Sequence, residues 1–142
     1  MKRASFDKSL GYQIARVHAK IEGDLSLRLK PLGISVGTYR VLVALSDAGP
    51  LPMSELANAV LVEPYSLTKL IDKMVAEGLV FRRPDDHDRR KVLVSLAEDG
   101  RSMIPKLRRV ADTHEAHVGT MITHKDIRAL ERVLELSPEV AS

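Results

Sequence analysis

None of the 142 residues is a cysteine. That excludes disulfides, cysteine metal sites and any switch worked by thiol oxidation, peroxide sensing included. Long apolar runs are missing too: nothing approaches the roughly 18 uninterrupted apolar residues that a membrane-spanning helix needs. Met1 leads directly into charged residues, without the apolar stretch of a secretion signal. A cytoplasmic protein with no membrane partner is the simplest expectation. There is no Walker loop, no H-E-x-x-H and no glycine-rich dinucleotide loop, so neither an enzyme nor a cofactor is expected. Internal repeats, low-complexity tracts and linkers are absent as well. Residues 1–142 are therefore expected to form a single domain.

What is present is a soluble globular composition, 44% hydrophobic and 29% charged. The net charge is only +3, but the sequence pI is about 9.3. Basic residues crowd into 82–91 and 101–109, whereas 131–142 leans acidic. An uneven distribution of this kind suits a protein with one face directed at a polyanion.

The most informative stretch is 64–96. Leu67, Leu70, Ile71, Met74 and Val75 recur at helical spacing. The opposite face carries Tyr65, Ser66, Lys69 and Lys73, and Gly78 stops the helix. Two short apolar runs, 79–81 and 92–94, flank a tip at 82–91 that holds five basic side chains, Arg82, Arg83, Arg89, Arg90 and Lys91. Ahead of this, Met53, Leu56, Ala57 and Val60 mark a short helix, with Pro52 in its first turn. Residues 61–63 turn into the next helix, where Pro64 pre-sets φ and Glu63 places a carboxylate at the positive end. Two short helices on a three-residue turn, followed by a basic hairpin, make a winged helix-turn-helix.

The flanks are helical. Leu10, Ile14, Val17, Ile21, Leu25 and Leu29 form one stripe over 7–30, with Ser5 or Asp7 as the cap and Pro31–Gly33 as the stop. So long a helix has little core of its own to cover, and packing on a partner chain is expected. Ser35 caps a second helix, with Tyr39, Val41, Leu42 and Leu45 inward and a break at 47–50. After the hairpin a helix runs from Glu98 to about Val118, with a bend expected near 101–105 because Pro105 lacks an N–H. Thr123 and Asp126 start a last helix that ends before Pro138, and the terminal helices are expected to pack together. The fold class is mainly α with a small β-hairpin wing. On this reading 34–100 is expected to be the DNA-binding lobe, with 5–30 and 101–142 as dimerisation helices.

Met53-Ser54-Glu55-Leu56-Ala57, Leu67 to Met74, Gly78 to Arg83, and Asp88-Arg89-Arg90 before Val92 to Leu96 resemble the MarR family of bacterial winged helix-turn-helix regulators. The resemblance is close over 34–100 and extends to the flanks in helix kind and length. It implies a homodimer on double-stranded DNA with a palindromic operator, each recognition helix in a major groove and each wing in the neighbouring minor groove. The DNA-binding residues expected are Ser54, Pro64, Tyr65, Ser66, Thr68, Lys69, Lys73, Arg82, Asp88, Arg89, Arg90 and Lys91. Arg90 matches the family's minor-groove arginine, and Asp88 is expected to pair with a neighbouring arginine and hold the tip. The family often has Thr where Pro52 and Ala97 stand and Gly where Leu61 stands. A leucine there is costly if the turn needs φ > 0.

The resemblance also implies a repressor released by a small aromatic or phenolic acid. Tyr12, Arg16, His18, Tyr39 and Arg40 are the candidate effector residues. Repression requires only occupancy of a promoter, whereas activation requires a further contact with polymerase. Two alternatives remain open: a metal-responsive regulator using His114, His117 and His124, and a DNA-binding module with no effector.

Overall fold

The structure is a computed structural model, and it describes residues 5–136. The last helix ends at Glu135, ahead of Pro138 as expected, and Pro138 itself lies outside the described residues. Helix α1 spans Leu10–Leu29 and follows a short 3-10 turn at Phe6–Lys8. Its start is later than the sequence suggested. Ser9 stands at the cap, but its hydroxyl donates to the Phe6 carbonyl and leaves the helix end without a side-chain cap. A 3-10 turn at Lys30–Leu32 and Gly33 at φ 70° close α1. Helix α2, Val36–Ala48, is capped by Ser35, whose oxygen accepts from the Thr38 N–H at 3.1 Å.

Strand β1 (Leu51–Pro52), α3 (Met53–Val60) and α4 (Pro64–Ala76) follow. Then come β2 (Val80–Pro84), β3 (Val92–Leu96), α5 (Glu98–Val118) and α6 (His124–Glu135). The sheet is antiparallel in the order β1-β3-β2, with Val80 opposite Leu96 and Pro84 opposite Val92. So the wing is more than a hairpin. Leu51 and Pro52 pair with Val94 and Leu93, which places Pro52 at the strand end and cap of α3, not within its first turn.

One core joins the lobe. Leu29 from α1, Val41, Leu42 and Leu45 from α2, and Leu56 from α3 pack with Leu67, Ile71 and Met74 of α4, Val94 of β3 and Leu107 of α5. Tyr39 packs at its margin, and Val75, expected on the inner face, is exposed. Gly100 allows α5 to approach the base of the wing. A Cβ there would lie 2.1 Å from the Leu79 carbonyl oxygen, which also accepts the Ala97 N–H at 3.0 Å. Helix α5 continues without interruption through Pro105.

The apolar stripe of α1 divides in two. Leu25 and Leu29 are buried, whereas Leu10, Ile14 and Val17 are exposed. On α6, capped by the reciprocal Thr123–Asp126 box, Ile127, Leu130, Val133 and Leu134 are all exposed. The expectation that the terminal helices pack together therefore fails for α6 within one chain, where its apolar side finds no core to cover. Helix α5 does pack on α1. There the Asp24 carboxylate accepts from Arg28 at 2.8 Å and lies 2.7 Å from His114 Nδ1.

Candidate nucleic-acid interface

Helix α4 turns its apolar face to the core and its polar face outward. Leu67, Ile71 and Met74 are buried, while Tyr65, Ser66, Thr68, Lys69 and Lys73 are exposed. Pro64 occupies the first turn, and Glu63 stands at the cap without a side-chain hydrogen bond. Such an end leaves backbone N–H groups and a partial positive charge for an anion. Lys69 Nζ sits 4.8 Å from the centre of the Tyr65 ring, a cation–π contact that holds both side chains on the outer face. Thr68 donates its hydroxyl to the Pro64 carbonyl at 3.0 Å and keeps oxygen lone pairs available outward.

The turn before α4 departs from ordinary backbone. Leu61 adopts φ 57° and ψ 45° and is 92% exposed, so it occupies a left-handed position with no compensating burial. At the other end, Gly78 at φ 75° lets the chain double back, with the Leu79 N–H donating to the Met74 carbonyl. These two turns fix where α4 begins and ends.

The wing tip is ordered by its aspartates. Asp85 accepts the His87 N–H at 2.8 Å, and Asp88 accepts both the Arg90 N–H and the Arg90 Nε at 3.1 Å. Those bonds from the Arg90 side chain and backbone hold the Asp88 carboxyl below its ordinary range. The expected pairing of Asp88 with a neighbouring arginine is present, and the Arg90 side chain still projects into solvent. Arg89 and Lys91 are exposed beside it. A shallow groove of about 340 Å³ between α3 and the wing is lined by Pro52, Met53, Ser54, Arg90, Lys91 and Val92. It brings Ser54, far away in sequence, beside the wing arginine.

Arg82 has a different setting. Its guanidinium donates to Asp72 on α4 at 2.6 Å, so much of its charge is already balanced. Asp72 escaped the sequence reading because a carboxylate among lysines looks like solvated surface. Its position on the outward side of α4 was the available signal.

The five candidate effector residues do not converge. His18, Tyr39 and Arg40 line a cavity of about 490 Å³ with Glu22, Val43, Ala44, Ala59, Val60 and Leu61. Tyr12 and Arg16 line no part of it; Tyr12 packs on Phe6, with Arg16 over its ring. Glu22, missed in the sequence, holds Arg40 at 2.6 Å and lies 3.4 Å from His18. Burial, with a contribution from nearby Glu115, raises the Tyr39 phenol, so it stays a neutral donor.

Two of the histidines, His114 and His117, face one carboxylate on α1. His114 is 7% exposed and engaged with Asp24, with His117 at 3.7 Å from the same carboxylate. Among the described residues no three His, Asp or Glu side chains gather as a ligand set. Gly33 to Gly37 does spell the G-x-S-x-G of a hydrolase elbow. Ser35 is nonetheless a helix cap, bonded to the Thr38 N–H and hydroxyl, without the preceding strand and histidine that an elbow needs.

Two helices on a tight turn, an outward polar recognition face and a basic wing define a winged helix-turn-helix DNA-binding protein. Residues 32–91 match the family model described as MarR family. The chain is 30% identical over 128 residues to the multiple antibiotic resistance protein MarR of Salmonella typhimurium, covering 89% of this chain and 88% of that one. It is 27% identical over 125 residues to the HTH-type transcriptional repressor IacR of Pseudomonas putida, covering 88% and 75%. A mutant of MarR from E. coli, solved in complex with operator DNA, superposes with a TM-score of 0.81 at 26% identity, covering 93% of this chain and 97% of the other. The chain belongs to the MarR family. It is a DNA-binding transcription regulator and not an enzyme.

Proposed function

We propose that two copies of this chain pair through their terminal helices and repress transcription from a palindromic operator, in the cytoplasm, until a small aromatic acid releases them. In each copy α4 enters a major groove. Tyr65, Ser66, Thr68 and Lys69 meet base edges there, while Lys73 and the α4 end at Pro64 meet phosphates. Arg90 enters the adjacent minor groove, with Ser54, Arg89 and Lys91 along the backbone and Asp88 holding the tip. Arg82 acts at one remove, through Asp72, by fixing the wing against α4. The observation that carries this reading is the groove shared by Ser54, Arg90 and Lys91, which sets the first helix of the helix-turn-helix directly beside the basic wing.

Pairing is supported by the uncovered apolar residues at both ends of the described chain: Leu10, Ile14 and Val17 on α1, and Leu130, Val133 and Leu134 on α6. Two-fold symmetry then sets half-sites about one helical turn apart, roughly 34–36 Å. The cavity at His18, Tyr39 and Arg40 lies between α1 and the helix-turn-helix, where an occupant could favour one spacing of recognition helices over another. The test is binding of the purified protein to the DNA upstream of its own coding region, with and without phenolic acids. Tighter binding than to random DNA at moderate salt, weakened by at least one acid, is expected. Equal affinity for all fragments would sink the operator reading, and acid-insensitive specific binding would sink the effector.

A further inference from the structure

We propose a second small-molecule site on the back of the wing, suited to an organic acid with a compact apolar body. A cavity of about 510 Å³ opens between the end of α2, the sheet and the first turns of α5. Phe81 and Arg83 on β2 and Ser95 on β3 share one face, since Phe81 pairs with Ser95 and alternate residues point the same way. Leu45, Pro50, Leu96, Ile104 and Pro105 supply the apolar wall. That volume falls in the range of small-ligand pockets.

Three polar features are left over by the fold. Ser95 is 6% exposed, and its buried hydroxyl has no hydrogen-bond partner among the described residues. Such a group in a native interior calls for an explanation, and a partner from outside the chain supplies one. Arg83 and Arg101 both line the cavity, and among the described residues neither belongs to an ion pair. No Asp or Glu lines it, and Asp47, next to the lining Ser46, is already held by Arg108 at 2.6 Å. Two uncompensated guanidiniums beside a hydroxyl donor match a carboxylate, and the apolar wall matches the body attached to it. This site shares no lining residue with the cavity at Tyr39 and Arg40.

The test uses full-length protein with methyl-labelled leucine and isoleucine, titrated with benzoate and followed by NMR. Benzoate is expected to shift the methyls of Leu45, Leu96 and Ile104. Acetate, which lacks the body, and benzamide, which lacks the charge, should bind about tenfold more weakly. Arg83→Ala and Arg101→Ala, both at exposed positions, should each weaken benzoate about tenfold without moving the thermal midpoint. Arg40→Ala should leave this binding unchanged. Shifts confined to the Tyr39 cavity would overturn the proposal. So would benzoate binding that survives both arginine substitutions while the salt dependence of DNA binding falls, since the arginines would then be phosphate contacts.

Discussion

Leu61 shows how one residue can carry a cost that its neighbours impose. The chain must reverse between α3 and α4, and at φ 57° and ψ 45° a leucine crowds its own carbonyl. Because the side chain is almost fully exposed, no buried contact offsets the strain. Leu61→Gly is expected to stabilise the protein by about 1 kcal/mol, less the extra entropy glycine gives the unfolded chain. Urea unfolding at unchanged m-value would measure it, and an unchanged or lower midpoint would refute the strain. Gly100 is the converse case. Gly100→Ala places a methyl far inside van der Waals contact distance of the Leu79 oxygen, so α5 must move off the wing base. A loss of about 2 kcal/mol or more is expected in the same assay, beyond the small gain from better helix propensity.

At the scale of elements, the wing works as a unit only if its tip is held. Asp88 accepts from three Arg90 donors, the backbone N–H and the side-chain Nε and Nη2, and together they set the direction from which Arg90 leaves the hairpin. Asp88→Ala is therefore expected to weaken specific DNA binding about fivefold, yet to have little further effect when Arg90 is already alanine. Fluorescence anisotropy on the four proteins of that cycle gives the answer; additive losses would show that Asp88 acts independently. A second joint links α1 to α5. Arg28, and then His114, hold the Asp24 carboxyl down from 3.8 to about 2. A carboxylate with a lowered folded-state value contributes stability that is complete above the unfolded value and is lost as pH falls through the folded one. The contribution should therefore fade between about pH 4 and pH 2. Asp24→Asn should have a lower thermal midpoint near neutrality and a flatter decline over that acid window. A variant with the wild-type acid profile would place the pH dependence elsewhere.

What could be read in advance follows the range of the interactions. The bounds of α5 and the Thr123–Asp126 cap depend on spacing within one or two turns, and the sequence carries them openly. The outward face of α4 was legible for the same reason. Strand β1 was not, because two residues have no periodicity and Leu51 is a strand only by virtue of Val94. The Asp24–His114 contact spans 90 residues, and no local pattern announces it. Arg82 was read as a DNA contact with no sign of Asp72, its ion-pair partner on another element, because that pairing exists only in the folded chain.

For the molecule as a whole, the question is what covers the ends of the chain. The lobe has a closed core without α6, whose Leu134 is 83% exposed and whose Leu130 and Val133 are exposed on the same helix. Leu10, at 75% exposure, and Ile14 continue an apolar surface on α1. Residues of this kind standing in water on two helices are costly unless a second copy buries them. Glutamate at 130 and 134 would place two charges in that contact while leaving the core of the lobe untouched. The Leu130→Glu, Leu134→Glu variant is expected to weaken self-association about thirtyfold or more, as judged by sedimentation equilibrium. Its circular dichroism at the concentration of the dimer should be unchanged, because no buried residue of the single chain has been altered. Operator affinity should fall with dimerisation, since two half-sites are then no longer held by one rigid pair. A wild-type chain that sediments as a monomer at micromolar concentration, or a double variant that remains a dimer, would remove the terminal helices from that role. The spacing of the recognition helices would then need another origin.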